Sequence, residues 1–343
     1  MTTAQGSGLS FDVIGAARAL TYFGTLDETS LSHGYLFSGA AGVGKKTFAR
    51  RLAQSLLCER KKAGLLGYDD TCNACAAFRA GSHPDYYESA GKIAIGDDGD
   101  GAIEEDRGNS RGLVRELSLR PYSGRWRIAV LGDVAFVSDW AAHALLKFLE
   151  EPPADVLLVL TTDEPHALFA TIRSRLIDIP FPPLSVRDVM RALEAGGVGP
   201  DDARFAAASA MGSVTRARAV LEAAEAGVRD AAMRWLEDVL AGRAPDQSFI
   251  DRGEKAADKR EIASELIETL RVLVRDWAAL TLVGPGARLL AEDLRDRVAG
   301  LPRRTPEGVV AALGAVADAR RLAGTNVSAA LVVDSLRMNL SPE

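Results

Sequence analysis

Ser38-Gly39-Ala40-Ala41-Gly42-Val43-Gly44-Lys45-Lys46-Thr47 is the stretch on which the fold turns. It follows a short apolar run, Tyr35-Leu36-Phe37, and leads into a helical pattern over residues 47–57. A strand, a glycine-rich turn and a helix in that order let backbone N–H groups approach phosphate closely, with a lysine to reach the outer oxygens. Gly39, Gly42, Gly44 and Lys45 meet those needs. The position after the lysine ordinarily offers a hydroxyl to Mg²⁺, and here it is Lys46. Thr47 comes one residue late, which on a helix turns a side chain by about 100°. Two readings of these residues stand side by side. One is a glycine turn without a ligand; the other is a loop that holds ATP or ADP without efficient Mg²⁺ chemistry.

Further apolar runs at 127–131, 156–160 and 176–179 are separated by helical patterns. Continuous apolar strands alternating with helices predict a parallel sheet covered on both faces. Ser138 can cap a helix running to Leu149, and Pro152-Pro153 ends it. In phosphate-binding enzymes of this build, a strand end carries two carboxylates, one for Mg²⁺ and one to polarise water. The run 127–131 ends instead in Gly132-Asp133. The metal carboxylate is missing, and the second position holds the shorter Asp133. Two losses at one metal make hydrolysis by this chain alone unexpected.

Pro180-Phe-Pro-Pro183 reads as a domain boundary, followed by Ser185-Val-Arg-Asp188 in capping-box form. Beyond it the pattern is helical almost throughout, with a softer break between residues 242 and 247. The expected architecture is therefore an α/β P-loop domain over 1–182, an all-α lid over 183–243 and an all-α block over 244–343. The acidic, glycine-rich stretch 95–106 lacks the ligand spacing of an EF-hand and reads as a solvated loop.

With 41 basic and 47 acidic residues the formal charge is −6, so a protein gripping DNA mainly through its own phosphate contacts is disfavoured. The basic groupings are short: Arg60-Lys61-Lys62, Arg125-Trp-Arg127 and Lys45-Lys46. No apolar run reaches the ~18 residues that a membrane span needs. No basic-then-apolar leader opens the sequence. Three cysteines, an odd and small number, argue for a reducing cytoplasm rather than a disulfide framework.

Several longer stretches resemble bacterial clamp-loader subunits of the AAA+ family. They are His33-Gly-Tyr-Leu-Phe37, His83-Pro-Asp-Tyr-Tyr87, Ala144-Leu-Leu-Lys-Phe-Leu-Glu-Glu-Pro-Pro153 and Thr171-Ile-Arg-Ser-Arg175. The resemblance runs in order over about residues 10–220. It implies a RecA-like domain, a helical lid and a helical collar that joins a hetero-pentamer with gamma/tau ATPase and delta subunits. That assembly loads a sliding clamp onto primer-template DNA as part of the DNA polymerase III holoenzyme. The changes at Lys46 and Gly132, and Thr215 where the Gly-Ser-x-Arg lid motif has its arginine (Arg216 follows one place late), resemble the non-hydrolysing delta-prime branch rather than gamma/tau. The resemblance also implies that Arg175 is an arginine finger reaching a neighbour's ATP. The rival readings are an active ATPase working through Lys45 and Asp133, and a nucleotide-sensing adaptor outside replication.

The same family often carries a four-cysteine zinc site near residues 58–85. This chain has Cys58, Cys72 and Cys75, with Asp69 at the second ligand position. Asp69, Asp70 or His83 can complete a zinc tetrahedron, though structural sites favour N and S donors. Free thiols are the alternative.

Overall fold

The computed structural model describes residues 11–61, 64–88, 120–122, 126–132, 145–146, 148–225, 227–246, 248, 256–323 and 327–342. These fall into two compact units, Met1–Leu184 and Ser185–Glu343. The stretch 95–106, Asp133 and most of the expected helix 138–149 lie outside the described residues; of that helix, 145–146 and 148–149 are helical.

The first unit carries helices α1 (Ala17–Gly24), α2 (Lys45–Leu57), α3 (Asn73–Arg79) and α4 (Ala170–Arg173). Its strands are β1 (Gly34–Ser38), β2 (Tyr86–Glu88), β3 (Arg127–Leu131), β4 (Val156–Thr162) and β5 (Ile177–Pro180). The strands form one parallel sheet in the order β2-β3-β4-β1-β5. Every residue of β1, β3 and β4 is buried, as expected for a sheet covered on both faces. Alternation within those apolar runs assigns the faces. Tyr35, Phe37, Ile128, Val130, Leu157 and Val159 join one core cluster. Leu36, Ala129, Leu131, Leu158 and Leu160 join the other. Pro180 ends β5 at the sheet edge, where a residue without an N–H is tolerated.

Phe48, one turn into α2, meets Phe37 and Phe181 with ring centroids 5.8 and 5.7 Å away, and Phe23 of α1 at 5.6 Å. Such aromatic pairs add about 0.5–1.5 kcal/mol each beyond area burial. They seat the start of α2 directly beyond the C-terminal end of β1. That end is also where the strand order reverses, since β1 lies between β4 and β5 while the chain crosses next to β2. In open α/β sheets, crevices at such switch points are where ligands bind.

The second unit is all helical: α5 (Val186–Glu194), α6 (Pro200–Ser209), α7 (Val214–Glu225), α8 (Val228–Leu240), α9 (Ala256–Val283), α10 (Arg295–Ala299), α11 (Pro306–Ala323) and α12 (Ala329–Leu340). Ser185 caps α5 as its pattern predicts, accepting the Asp188 N–H at 3.1 Å. The expected lid and collar segments both fall in this unit. The 28-residue α9 packs against α6, α8, α11 and α12. Its Asp276 is fully buried and accepts the backbone N–H groups of Leu290 and Ala291, at 2.9 and 2.7 Å, tying down the following loop. No helix among the described residues is long and apolar enough to cross a membrane.

Candidate functional site

The loop after β1 is shaped by three glycines with positive φ: Gly39 at 144°, Gly42 at 75° and Gly44 at 95°. Gly39 is the most constrained. A Cβ there would lie 2.1 Å from the Phe181 carbonyl oxygen, while its N–H donates to the Thr162 carbonyl at 3.1 Å. The loop is thus clamped between the ends of β4 and β5, and Ser38 Oγ donates to Asp178 Oδ1 across to β5 at 2.6 Å. Gly44 occupies the N-cap position of α2, where no other residue crowds its α-carbon. Lys45 is only 6% exposed, and its Nζ donates to the Gly39 and Ala40 carbonyl oxygens, the latter at 2.8 Å. The loop is therefore closed on its own lysine.

Lys46, at the hydroxyl position, is turned toward the sheet edge. Its Nζ lies 2.9 Å from Glu88 Oε1 at the end of β2. Arg50, one turn on, donates to Glu88 Oε2 at 2.5 Å, and the Tyr86 hydroxyl donates to the same oxygen at 2.7 Å. Burial works against the Glu88 anion, but hydrogen bonds from Arg50, Tyr86 and Lys46 outweigh it, so its carboxyl sits below the usual range. Burial, reinforced by the bond to Glu88, pushes the Tyr86 phenol well up. Thr47 is exposed. Gly132 follows β3 without a side chain to offer; Asp133 lies outside the described residues.

Two residues of this neighbourhood escape a reading of the sequence. Glu88 is separated from its partners Lys46 and Arg50 by 42 and 38 positions, so no local pattern announces it. Thr162 extends β4 two residues past the expected end at Leu160, bringing its carbonyl to the loop and its Oγ1 to the Glu164 N–H at 3.1 Å. A pair of threonines closing an apolar strand was the available signal.

Arg175 follows α4. Its Nη2 donates to Glu150 Oε1 at 2.6 Å and its Nη1 to the Thr171 carbonyl at 2.8 Å. Both partners of the ion pair are substantially exposed, 35% for Arg175 and 53% for Glu150. Such pairs are worth about 0.2–1 kcal/mol, so the guanidinium is held in place but easily redirected. In the second unit, Ser213 accepts the Arg216 N–H at 3.2 Å and starts α7, with Thr215 and Arg216 both exposed.

The three cysteines come together. Cys58, Cys72 and Cys75 are buried, and their sulfurs all lie within 4.8 Å of one another. Cys58 and Cys72 are 3.9 Å apart. The Asp69 N–H donates to Cys58 Sγ at 3.3 Å and the Cys75 N–H to Cys72 Sγ at 3.4 Å. Burial pushes the Cys75 thiol up to about 12. The Cys72 thiol lies below its ordinary value: burial opposes its thiolate, but N–H donation from Cys75 and Glu59 prevails. The Asp69 carboxylate is not with them; it accepts from Thr71 N at 2.9 Å and faces Arg60 at 3.7 Å.

The family model described as DNA polymerase III, delta subunit, matches residues 19–185. A delta-prime subunit of DNA polymerase III from Bacillus subtilis is 31% identical over 185 residues, covering 54% of this chain and 53% of its own length. The delta-prime subunit of Pseudomonas aeruginosa is 35% identical over 146 residues, 43% of this chain and 42% of its own. The gamma/tau subunit of Mycobacterium tuberculosis is 29% identical over 309 residues, 80% of this chain and 50% of its own. The chain thus spans about half the length of the curated relatives it matches. The five-stranded parallel sheet with a glycine loop at its switch point thus lies in the part of the chain that is similar to DNA polymerase III subunits, delta-prime and gamma/tau alike.

Proposed function

We propose that this chain is the non-hydrolysing, delta-prime-like member of a clamp-loader ring, assembling with gamma/tau ATPase and delta subunits to load a sliding clamp onto primed DNA. The observation that carries the reading is the ion pair of Lys46 with Glu88, 2.9 Å long, at the position where a hydroxyl would otherwise meet Mg²⁺. A divalent cation placed there would meet an ammonium group instead of an oxygen ligand. The next strand end offers Gly132 in place of the metal carboxylate. The loop itself keeps its shape, so it can accept phosphate if Lys45 turns its donors from the Gly39 and Ala40 carbonyls to the ligand. ATP or ADP held in this way would be bound rather than consumed.

The chemical contribution of the chain would then be made in trans. Arg175 is already displayed at the surface, and its exposed pair with Glu150 costs little to exchange for a triphosphate on an adjoining subunit. An arginine in that role stabilises charge developing on the γ-phosphate. The alternative with a specific observation behind it is an active ATPase, since the gamma/tau relatives align over 80% of this chain. Steady-state ATP hydrolysis by the isolated chain, with Lys45→Ala as control, separates the two. The stator reading expects no turnover above the Lys45→Ala background. Turnover abolished by Lys45→Ala would make the chain a motor.

A further inference from the structure

Mg²⁺ on a nucleotide bridges the outer phosphate oxygens and offsets their charge. It takes hard oxygen ligands in near-octahedral geometry and keeps part of its water shell. From a phosphate loop it asks for a hydroxyl after the lysine and a carboxylate at the neighbouring strand end. The described residues do not fit that request. Lys46 brings an ammonium to the first position, and Gly132 brings no side chain to the second. Other oxygens beside the loop are committed: Ser38 Oγ donates to Asp178 Oδ1 at 2.6 Å, and Thr162 Oγ1 accepts the Glu164 N–H at 3.1 Å. Glu88, the carboxylate that Lys46 meets, also receives Arg50 and Tyr86.

What the site lacks in metal ligands it holds in cations. Lys45 is buried in the loop, and Lys46 adjoins it on the first turn of α2. The N-terminus of that helix adds partial positive charge on the same side. The Lys46 side chain is 38% exposed and its ammonium rides on a flexible aliphatic stem, whereas the Glu88 side chain is 12% exposed. Their ion pair therefore opens by movement of the lysine. Glu88 keeps its support when that happens, because Arg50 and the Tyr86 hydroxyl both donate to Oε2, at 2.5 and 2.7 Å. Glu88 thus parks Lys46 beside the loop without depending on it.

We propose that the loop takes the polyphosphate of a nucleotide in its metal-free form, the Lys46 ammonium leaving Glu88 for the phosphate oxygens that Mg²⁺ would bridge. This rests on the reading of the loop as one that holds nucleotide, and adds which ionic form it holds. Mg²⁺ then opposes binding. Its nucleotide complex sets a divalent cation against Lys46, and by mass action it withdraws the free nucleotide from solution. Glu88 competes with the ligand for the same ammonium, so it lowers affinity.

The test is isothermal titration calorimetry of the full chain with ADP, in EDTA and in excess Mg²⁺, with inorganic pyrophosphate as a competing probe. Affinity for ADP should fall about tenfold or more on passing from EDTA to excess Mg²⁺, and pyrophosphate should displace ADP in EDTA. Lys46→Thr should weaken ADP in EDTA by about tenfold, the loss of one charge-assisted contact, and remove the penalty from Mg²⁺. Lys46→Arg keeps the charge and should behave as the unaltered chain. Glu88→Gln releases Lys46 and should tighten ADP in EDTA, an effect that a merely structural role would not give. Circular dichroism checks that each variant folds, and the comparison of EDTA with Mg²⁺ on the unaltered chain decides the matter even where one does not. Tighter binding in Mg²⁺ than in EDTA, or Lys46→Thr matching the unaltered chain in both, would overturn the metal-free form and leave a loop that holds nucleotide. Binding of neither ADP nor pyrophosphate under either condition would overturn the nucleotide-holding loop itself, and this inference with it.

Discussion

The glycine loop and the cysteine cluster lie in the same unit and both depart from the pattern they resemble, yet they depart in opposite ways. In the loop the shape is complete and the chemistry has changed. Gly39, Gly42 and Gly44 hold their positive φ values, Lys45 is in place, and only the side chains that would meet Mg²⁺ differ. In the cluster the chemistry is present and the enclosure is incomplete: three thiols converge while Asp69 turns outward. The loop is built from backbone, so substitutions at Lys46 and Gly132 leave its geometry alone. The cluster is built from side chains, so one replacement removes a donor outright.

That contrast can be broken most forcefully at Gly39. An alanine there must adopt φ of 144° with its Cβ 2.1 Å from the Phe181 carbonyl oxygen. Strain and overpacking of this kind cost about 1–3 kcal/mol each. Urea denaturation should show a loss of about 3 kcal/mol or more, against about 1–2 kcal/mol for Gly44→Ala, whose added Cβ meets open space. Equal losses at the two glycines would mean that the clamp on Phe181 is not what fixes the loop.

The next effect concerns the carboxylate that holds Lys46. Glu88→Gln should destabilise by about 1.5–3 kcal/mol, the range for a hydrogen bond to a charged group. Because the folded-state pKa of Glu88 is depressed, its stabilising contribution is present above the ordinary carboxyl value of 4.5 and is lost as pH falls through the folded value. Thermal melts of Glu88→Gln should therefore decline less steeply than wild type below about pH 4.5. Parallel curves would remove Glu88 as the anchor.

Smaller still, Cys72→Ser in metal-free protein should shift stability by about 1 kcal/mol or less, since serine serves well at the N-cap of α3 that Cys72 occupies. Least of all, Lys46→Thr removes a partly exposed ion pair and should cost under about 1 kcal/mol. It restores the hydroxyl but not the carboxylate missing at Gly132, so ATP hydrolysis should remain at background in a coupled assay. Turnover in Lys46→Thr would show that a single residue had silenced the loop.

Much of the first unit was legible because its signals are local. β3 falls on the run 127–131, and α2 begins only two residues before its expected start. The same reading passed over α1 and β2. β2 is three residues of partly buried chain whose identity depends on pairing with β3. At the site, the glycine loop follows from spacing, and the meeting of Cys58 with Cys72 and Cys75 is what the family resemblance implied. The Lys46–Glu88 and Arg175–Glu150 pairs do not, because each joins side chains 25 or more positions apart that only the folded sheet brings together. The turn that takes the Asp69 carboxylate from the thiols is decided by Thr71, two residues away, and spacing alone cannot say which way a carboxylate faces.

The central claim is that this chain contributes to ATP chemistry without performing it, and it is tested most directly by ATP hydrolysis in a ring reconstituted from gamma/tau, delta and this chain, with and without Arg175→Ala. The account predicts that the chain raises the ring's hydrolysis, and that Arg175→Ala assembles normally by gel filtration yet returns the rate toward that of gamma/tau without it. An unchanged rate in a fully assembled Arg175→Ala ring would contradict the finger, and with it the role proposed for the chain.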